Sequence, residues 1–284
     1  MLRFGTCSWK YDSWKGIVYS GNDKKNYLKE YSQIFNTVEI DQWFWSLFTP
    51  ARVVLPQKKI VEEYINSVPK DFLFTIKVPN SITLTHFYKD SKEEELKPNP
   101  HFLSVDLFQE FLISIRPMQT QVGCLIFQFE YLNKQKMKSL ADFQMRFSEF
   151  LKQSKKDHPP IGIEIRNPNY LNEKYFNFLS EQNLIPILLD GYYMPPVAET
   201  YEKFNKYIQN AVVIRLHGPD RQGIEKIANE NWNQIYISRD KEINSIAEMI
   251  NKLQKKKVDI FVNVNNHFEG SAPLTIQKIK ERLS

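Results

Sequence analysis

The chain has 284 residues, 42% of them hydrophobic and 14% aromatic, with a formal net charge of +5. That is enough apolar material for a large core in one domain, and the mild positive charge fits a lysine-rich solvated surface as well as anionic ligands or nucleic acid. No apolar run approaches the ~20 residues of a membrane span, and Met1 leads straight into a strand rather than a signal peptide. The two cysteines, Cys7 and Cys124, fall in no zinc-ligand spacing, so a soluble cytoplasmic protein with reduced thiols is expected.

In chain order, Leu2–Ser8 reads as a strand. A long connection, Trp9–Lys25, carries Trp9, Tyr11 and Trp14 to an amphipathic helix at Asn26–Phe35. Thr37–Asp41 sets Val38 and Ile40 against Thr37, Glu39 and Asp41. Gln42–Gln57, with Trp43, Phe44 and Trp45, leads to a helix at Lys58–Ser67. The strand Phe72–Val78 carries Lys77. It is followed by the long Pro79–Leu103 loop, which contains His86 and the charged stretch Ser91–Pro100 with Lys92, Glu93, Glu94, Glu95 and Lys97, read as an exposed part of that loop. A helix at Ser104–Arg116, a strand at Val122–Phe129 with Gln128, and a helix at Lys138–Ser154 come next. Ile161–Arg166 then sets three isoleucines against Gly162, Glu164 and Arg166. A helix at Glu173–Gln182 precedes the strand Ile185–Asp190. Gly191–Asn210, with Tyr192 and Tyr193, has a weaker pattern. Ala211–His217 alternates Val212, Ile214 and Leu216 with Val213, Arg215 and His217. The long Gly218–Lys241 loop, a helix at Glu242–Lys256, the strand Asp259–Asn265 and a helix at Pro273–Leu283 complete the chain.

Eight short strands alternating with helices specify an α/β fold with a parallel sheet. The reading is a single (β/α)8 TIM barrel over residues 1–284, with long strand-to-helix loops at its C-terminal face. Eight units and the lack of a Gly-rich phosphate fingerprint argue against an open doubly wound sheet. In such a barrel the polar strand ends meet at one mouth, where barrels keep their active sites. Glu39, Asp41, Lys77, Gln128, Glu164, Arg166, Asp190, Arg215, His217, Asn263 and Asn265 share that inward parity.

Isolated charges in a barrel interior are costly and must pair or meet water. A structural ion-pair network is therefore one reading, and a catalytic cluster is the other. In the catalytic reading, Glu39, Glu164, Asp190, His217 and His86 are the acid/base candidates. Lys77, Gln128, Arg166, Arg215, Asn263 and Asn265 are candidates for binding an anion, with Trp9 and Trp14 stacking on substrate. The first five are also suitable ligand types for a divalent metal. However, no His-x-His or HExxH spacing occurs, three cations compete for the same space, and neither a metal site nor a cofactor is assigned. Cys7 has inward parity but no neighbouring base in the sequence, so a packed thiol is expected.

Several blocks in order resemble domain-of-unknown-function family 72, the YecE-like proteins. They are Gly5-Thr6-Cys7-Ser8-Trp9 with Trp14-Lys15-Gly16 and Tyr19, Phe35-Asn36-Thr37-Val38-Glu39-Ile40, Thr85-His86, Glu164-Ile165-Arg166, Arg215-Leu216-His217-Gly218 and Gly270-Ser271-Ala272-Pro273. The resemblance implies a TIM-type barrel. Likeness of some members to endonuclease IV and xylose isomerase barrels implies nucleic acid or sugar by fold analogy alone. Asp41-Gln42-Trp43 and Cys7 depart from the usual pattern.

Three functions follow. One is a hydrolase, lyase or isomerase acting on a small anionic or sugar-containing substrate. The second is a nucleic-acid-binding or repair-type nuclease, disfavoured because the lysines are scattered along helices. The third is a non-catalytic ligand-binding barrel. No membrane partner is expected.

Overall fold

The computed structural model describes residues 1–21, 26–49, 52–89, 91, 93–154 and 157–283. Lys25 and Lys92, from the first and third long loops, lie outside the described residues, as do positions 50 and 51 of the second. The strands are β1 (Leu2–Thr6), β2 (Thr37–Ile40), β3 (Leu47–Thr49), β4 (Arg52–Val53), β5 (Leu73–Lys77), β6 (Val122–Gln128), β7 (Ile161–Glu164), β8 (Ile185–Gly191), β9 (Ala211–Gly218) and β10 (Asp259–Val264). Eight of them form one parallel sheet in the order β1-β10-β9-β8-β7-β6-β5-β2, while β3 and β4 pair antiparallel in the loop after β2. The sheet curls into a nearly closed barrel with a helix between successive strands, so the eight expected units are present.

The strands alternate because their two faces meet different environments. Val38, Ile40, Ile163, Val212, Ile214 and Leu216 belong to the large core between strands and helices. Cys124, Ile126, Ile187, Val213 and Phe261 form a separate apolar plug inside the barrel. Above the plug the inward side chains turn polar. The register places Glu39 beside Thr75, Gln128 beside Glu164, and Arg215 beside Asn263. A one-residue slip would carry these charges to the helix-packed face, so the plug and the charged layer together fix the register.

No ladder joins β1 to β2 among the described residues, and side chains bridge this seam instead. The Tyr31 hydroxyl accepts from the Thr6 N–H (2.9 Å) and donates to the Thr37 carbonyl (3.0 Å). Asn36 Oδ1 accepts from the Phe4 N–H at 3.0 Å. The backbones approach so closely that a Cβ on Gly5 would lie 2.1 Å from Thr37 O.

The long loops at the C-terminal ends carry structure of their own, including helices at Asn80–Thr83 and Arg221–Ala228. The weakly patterned segment after β8 holds a helix at Val197–Phe204. No helix among the described residues is long and apolar enough to cross a membrane.

Gly5→Ala is expected to destabilise the protein by about 2 kcal/mol or more, because the added methyl forces the seam apart. Urea unfolding measures this, and an unchanged midpoint would show that the seam is not tightly packed.

Candidate functional site

The centre of the barrel mouth is a buried ionic layer. Arg215, on β9, is 1% exposed, while Glu39 and Glu164 are fully buried. Arg215 donates from Nε and Nη2 to the two oxygens of Glu39, at 2.8 and 2.6 Å, a bidentate fork. Its Nη1 donates to Glu164 Oε2 and, at 3.3 Å, to Gln128 Oε1. Asn263 Nδ2 donates to Glu39 Oε2 (3.2 Å) and to Thr75 Oγ1 (2.8 Å). Arg166 donates from Nε to Glu164 Oε1 at 2.9 Å. Burial alone would raise the Glu164 carboxyl, but Arg215 and Arg166 outweigh it and hold the group at about 2. Burial likewise opposes the charge of Arg215, and Glu164 and Glu39 keep it firmly protonated. Glu164 and Arg215 are thus both charged at neutral pH.

Above the layer lies a cavity of about 1070 Å³, just above the usual range of small-molecule sites. Its lower wall includes Cys7, Asp41, Lys77, Arg166, His217 and Asn265. Most of these sit at or one or two residues past a strand end, where the pleat still aims the side chain inward. The Lys77 ammonium lies 3.8 Å from the centre of the Phe44 ring. Among the described residues, no carboxylate comes within ion-pair distance of it. Burial, and then the nearby Arg215, lower its pKa to about 8. Burial and Glu39 raise Asp41 to about 6, against the pull of Lys77. His217 is held between Tyr192 (Nδ1 to hydroxyl, 3.2 Å) and Cys7 (Nε2 to Sγ, 3.6 Å). Burial and then Arg215 push the imidazole well below its usual pKa, while burial and Glu39 push the thiol well above its own. The pair is therefore neutral imidazole and neutral thiol near pH 7.

The sequence profile described as "Protein of unknown function DUF72" matches residues 3–284. The chain belongs to the DUF72 family. A DUF72 family protein from Enterococcus faecalis superposes with a TM-score of 0.68 at 21% identity, covering 100% of this chain and 95% of that one. A DUF72 family protein from Thermotoga maritima superposes with a TM-score of 0.65 at 19% identity, covering 99% and 98%. At such identities the likeness shows the shared fold. No curated protein matches the chain.

On this DUF72 barrel the expected site residues separate into groups. Glu39, Lys77, Gln128, Arg166, Arg215, His217 and Asn265 line the cavity together. Glu164 and Asn263 lie beneath them in the ionic layer. Asp190 does not join them. On β8 the inward face carries Ile187 of the plug, so Asp190 points outward and accepts from the Val197 N–H at 3.5 Å. The polar residue of that strand caps the next helix. His86 lies outside the cavity wall, hydrogen-bonded to Thr85 Oγ1 at 3.0 Å. Trp9 and Trp14 are 1% and 0% exposed; Trp9 packs on Tyr64 of the helix at Lys58–Asn66, and Trp14 on Tyr11 within the first loop. The aromatic wall consists instead of Tyr11, Phe44, Trp45, Tyr88, Tyr192 and Trp232. Cys7 does have a base beside it, His217, supplied by a strand 210 residues away. Among the described residues, no group of three or more His, Cys, Asp or Glu side chains could hold a metal ion. Glu39 and Glu164, two of the would-be ligands, are engaged by Arg215.

Arg215→Met leaves the buried Glu39 without its counter-charge and Glu164 with Arg166 alone. A loss of about 3–5 kcal/mol at pH 7 is expected. The folded pKa of Glu164 is depressed, so its contribution in the native protein is full above the ordinary carboxylate range and fades as pH falls towards about 2. The penalty of Arg215→Met should therefore shrink below about pH 4.5, near the ordinary glutamate value. Denaturation series at pH 7 and pH 3 check this, and an equal penalty at both would count against the ionic layer.

Proposed function

We propose that the cavity binds a small anionic or sugar-containing substrate and moves a proton on it, as a hydrolase, lyase or isomerase does. Lys77 carries this reading. It is 9% exposed, lines the cavity and, among the described residues, has no carboxylate within ion-pair distance. Arg166 and Arg215 already face Glu164 and Glu39. Lys77 is thus the charge in the lower wall that an incoming carboxylate or phosphate can neutralise.

The proton-transfer role falls to Asp41 rather than Glu39 or Glu164. Both oxygens of Glu39 and of Glu164 already accept from arginine, whereas Asp41 lines the cavity and titrates at about 6, where general acid–base catalysis is efficient. His217, uncharged, is placed to hydrogen-bond a substrate oxygen. The upper rim mixes Lys10 and Arg221 with Asp12, Glu225 and Glu230, so it offers no one-signed track for a nucleic-acid backbone. A non-catalytic binding barrel would use the same residues and would differ in giving no product.

Binding is tested by calorimetry with sulfate, inorganic phosphate and glucose 6-phosphate. Lys77→Met should weaken each at least about tenfold, the usual scale for a lost charged hydrogen bond. If the wild type binds none of them, or the variant binds as well, the anion reading falls. Sulfate keeps its charge across the range, so its affinity should drop as pH rises through about 8, where Lys77 loses its proton.

Turnover of any substrate should need Asp41 ionised and Lys77 protonated. kcat/KM should rise through about 6, fall through about 8, and lose its acid limb in Asp41→Asn. A profile flat across both values would exclude this pair from the chemistry.

A further inference from the structure

A second cavity of about 790 Å³ adjoins the first and differs from it in character. Tyr88, Tyr131, Tyr192 and Tyr193 line it together with Arg166 and Glu130. Tyr88, Arg166 and Tyr192 also line the polar cavity, so the two share a boundary. Among the described residues, the three tyrosines that are more than half exposed are Tyr88 (55%), Tyr131 (57%) and Tyr193 (98%). All three belong to this annex, and they come from three different loops, after β5, β6 and β8. Scattered exposed aromatics are ordinary, but convergence on one concavity is not.

The annex is also shaped at a cost. Tyr192 and Tyr193 have φ of +53° and +67°, the left-handed region that bulky residues avoid. Gly191 precedes them at φ +119°, where a Cβ would lie 2.3 Å from Gly218 O. This turn leaves the Tyr193 ring almost wholly in solvent. On the opposite loop, the Phe87 N–H donates to Lys97 O at 2.9 Å and fixes the backbone next to Tyr88. The Arg166 guanidinium lies 4.6 Å from the centre of the Tyr192 ring and is tethered by its bond to Glu164. The annex thus presents aromatic rings from three loops and one guanidinium around an open space.

We propose that the annex is a subsite for a planar aromatic ring, and that the ligand of this protein is an aryl- or heteroaryl-bearing anion. This rests on the reading that the polar cavity takes the anionic group. The ring stacks among the tyrosines, and the anionic end reaches past Arg166 and Tyr192 towards Lys77. Stacking on aromatic side chains is tolerant of ring identity, so the subsite selects flatness first.

Calorimetry on the full chain with methyl phosphate, phenyl phosphate and glucose 6-phosphate tests this at constant charge. Phenyl phosphate should bind at least about tenfold tighter than methyl phosphate, and glucose 6-phosphate should not share the gain. The double variant Tyr131→Ala/Tyr193→Ala, both residues exposed and outside the polar cavity, should abolish the phenyl advantage and leave methyl phosphate unchanged. Equal binding of the two phosphates, or an advantage that survives the variant, overturns the proposal. A gain for glucose 6-phosphate without one for phenyl phosphate also overturns it, in favour of a sugar face. If no phosphate binds, the anion reading fails by itself, and saturation-transfer NMR with benzyl alcohol decides the ring site. Transfer to the ring protons that is seen in the wild type and disappears in the double variant upholds the subsite. Transfer that persists in the variant, or is absent from the wild type, overturns it.

Discussion

The guanidinium of Arg215 lies almost fully buried between Glu39 and Glu164, and the mouth of the barrel is organised around that contact. Taking three charges out of water is costly, and the attraction between them offsets that cost only if geometry and hydrogen bonding are complete. Here they nearly are. Both oxygens of Glu39 and both oxygens of Glu164 are engaged, and Gln128 and Asn263 add further bonds. The three ionic groups come from β9, β2 and β7, which are not neighbours in the sheet. The layer therefore ties across the barrel what the ladders tie around it.

That layer also decides which groups above it remain chemically available. With Arg215 and Arg166 set against Glu39 and Glu164, the lower wall of the cavity is left with a lysine, an aspartate and a neutral histidine–thiol pair. Burial is the main influence on their ionisation, and the layer beneath them adds to it. Arg215 disfavours the charge on Lys77 and His217, and Glu39 disfavours the charge on Asp41 and Cys7. Burial acts in the same direction on all four. The ion network and the polar cavity are thus two layers of one arrangement, built from different residues.

The strands and the general position of the candidate site are legible in the sequence, because a strand buried on both faces writes its two environments as alternation. Glu39, Lys77, Arg215 and His217 can be placed inward on that ground alone. The same rule misplaces Asp190. It assumes that the polar face is the inward one, and on β8 the inward position is held by Ile187 while Asp190 serves a helix start. Which aromatics pack and which line the cavity is not legible either. Trp9 and Trp14 are large enough to pack as core residues, and only the folded chain reveals that they do, on Tyr64 and Tyr11. The Cys7–His217 contact joins residues 210 positions apart, beyond any local pattern. Nor does composition say that Arg215 is consumed by its partners, since pairing depends on distance and not on parity.

Arg166 links the two halves of the mouth. Its Nε belongs to the ionic layer through Glu164, and its guanidinium face lies on Tyr192, the ring that also bonds His217. Its side chain is 23% exposed, far more than Arg215, so it is the arginine that meets solvent while anchored below. One planar group thus fixes the orientation of a wall shared by the polar cavity and the aromatic annex. A lysine could supply the charge but not the plane, since an ammonium neither stacks flat on a ring nor directs a fixed donor to a carboxylate at the same time. The placement of Arg166 at the end of β7, two residues after Glu164, delivers both contacts from one strand. The alternation that runs from Ile161 to Arg166 is therefore also what connects the buried floor to the exposed rings.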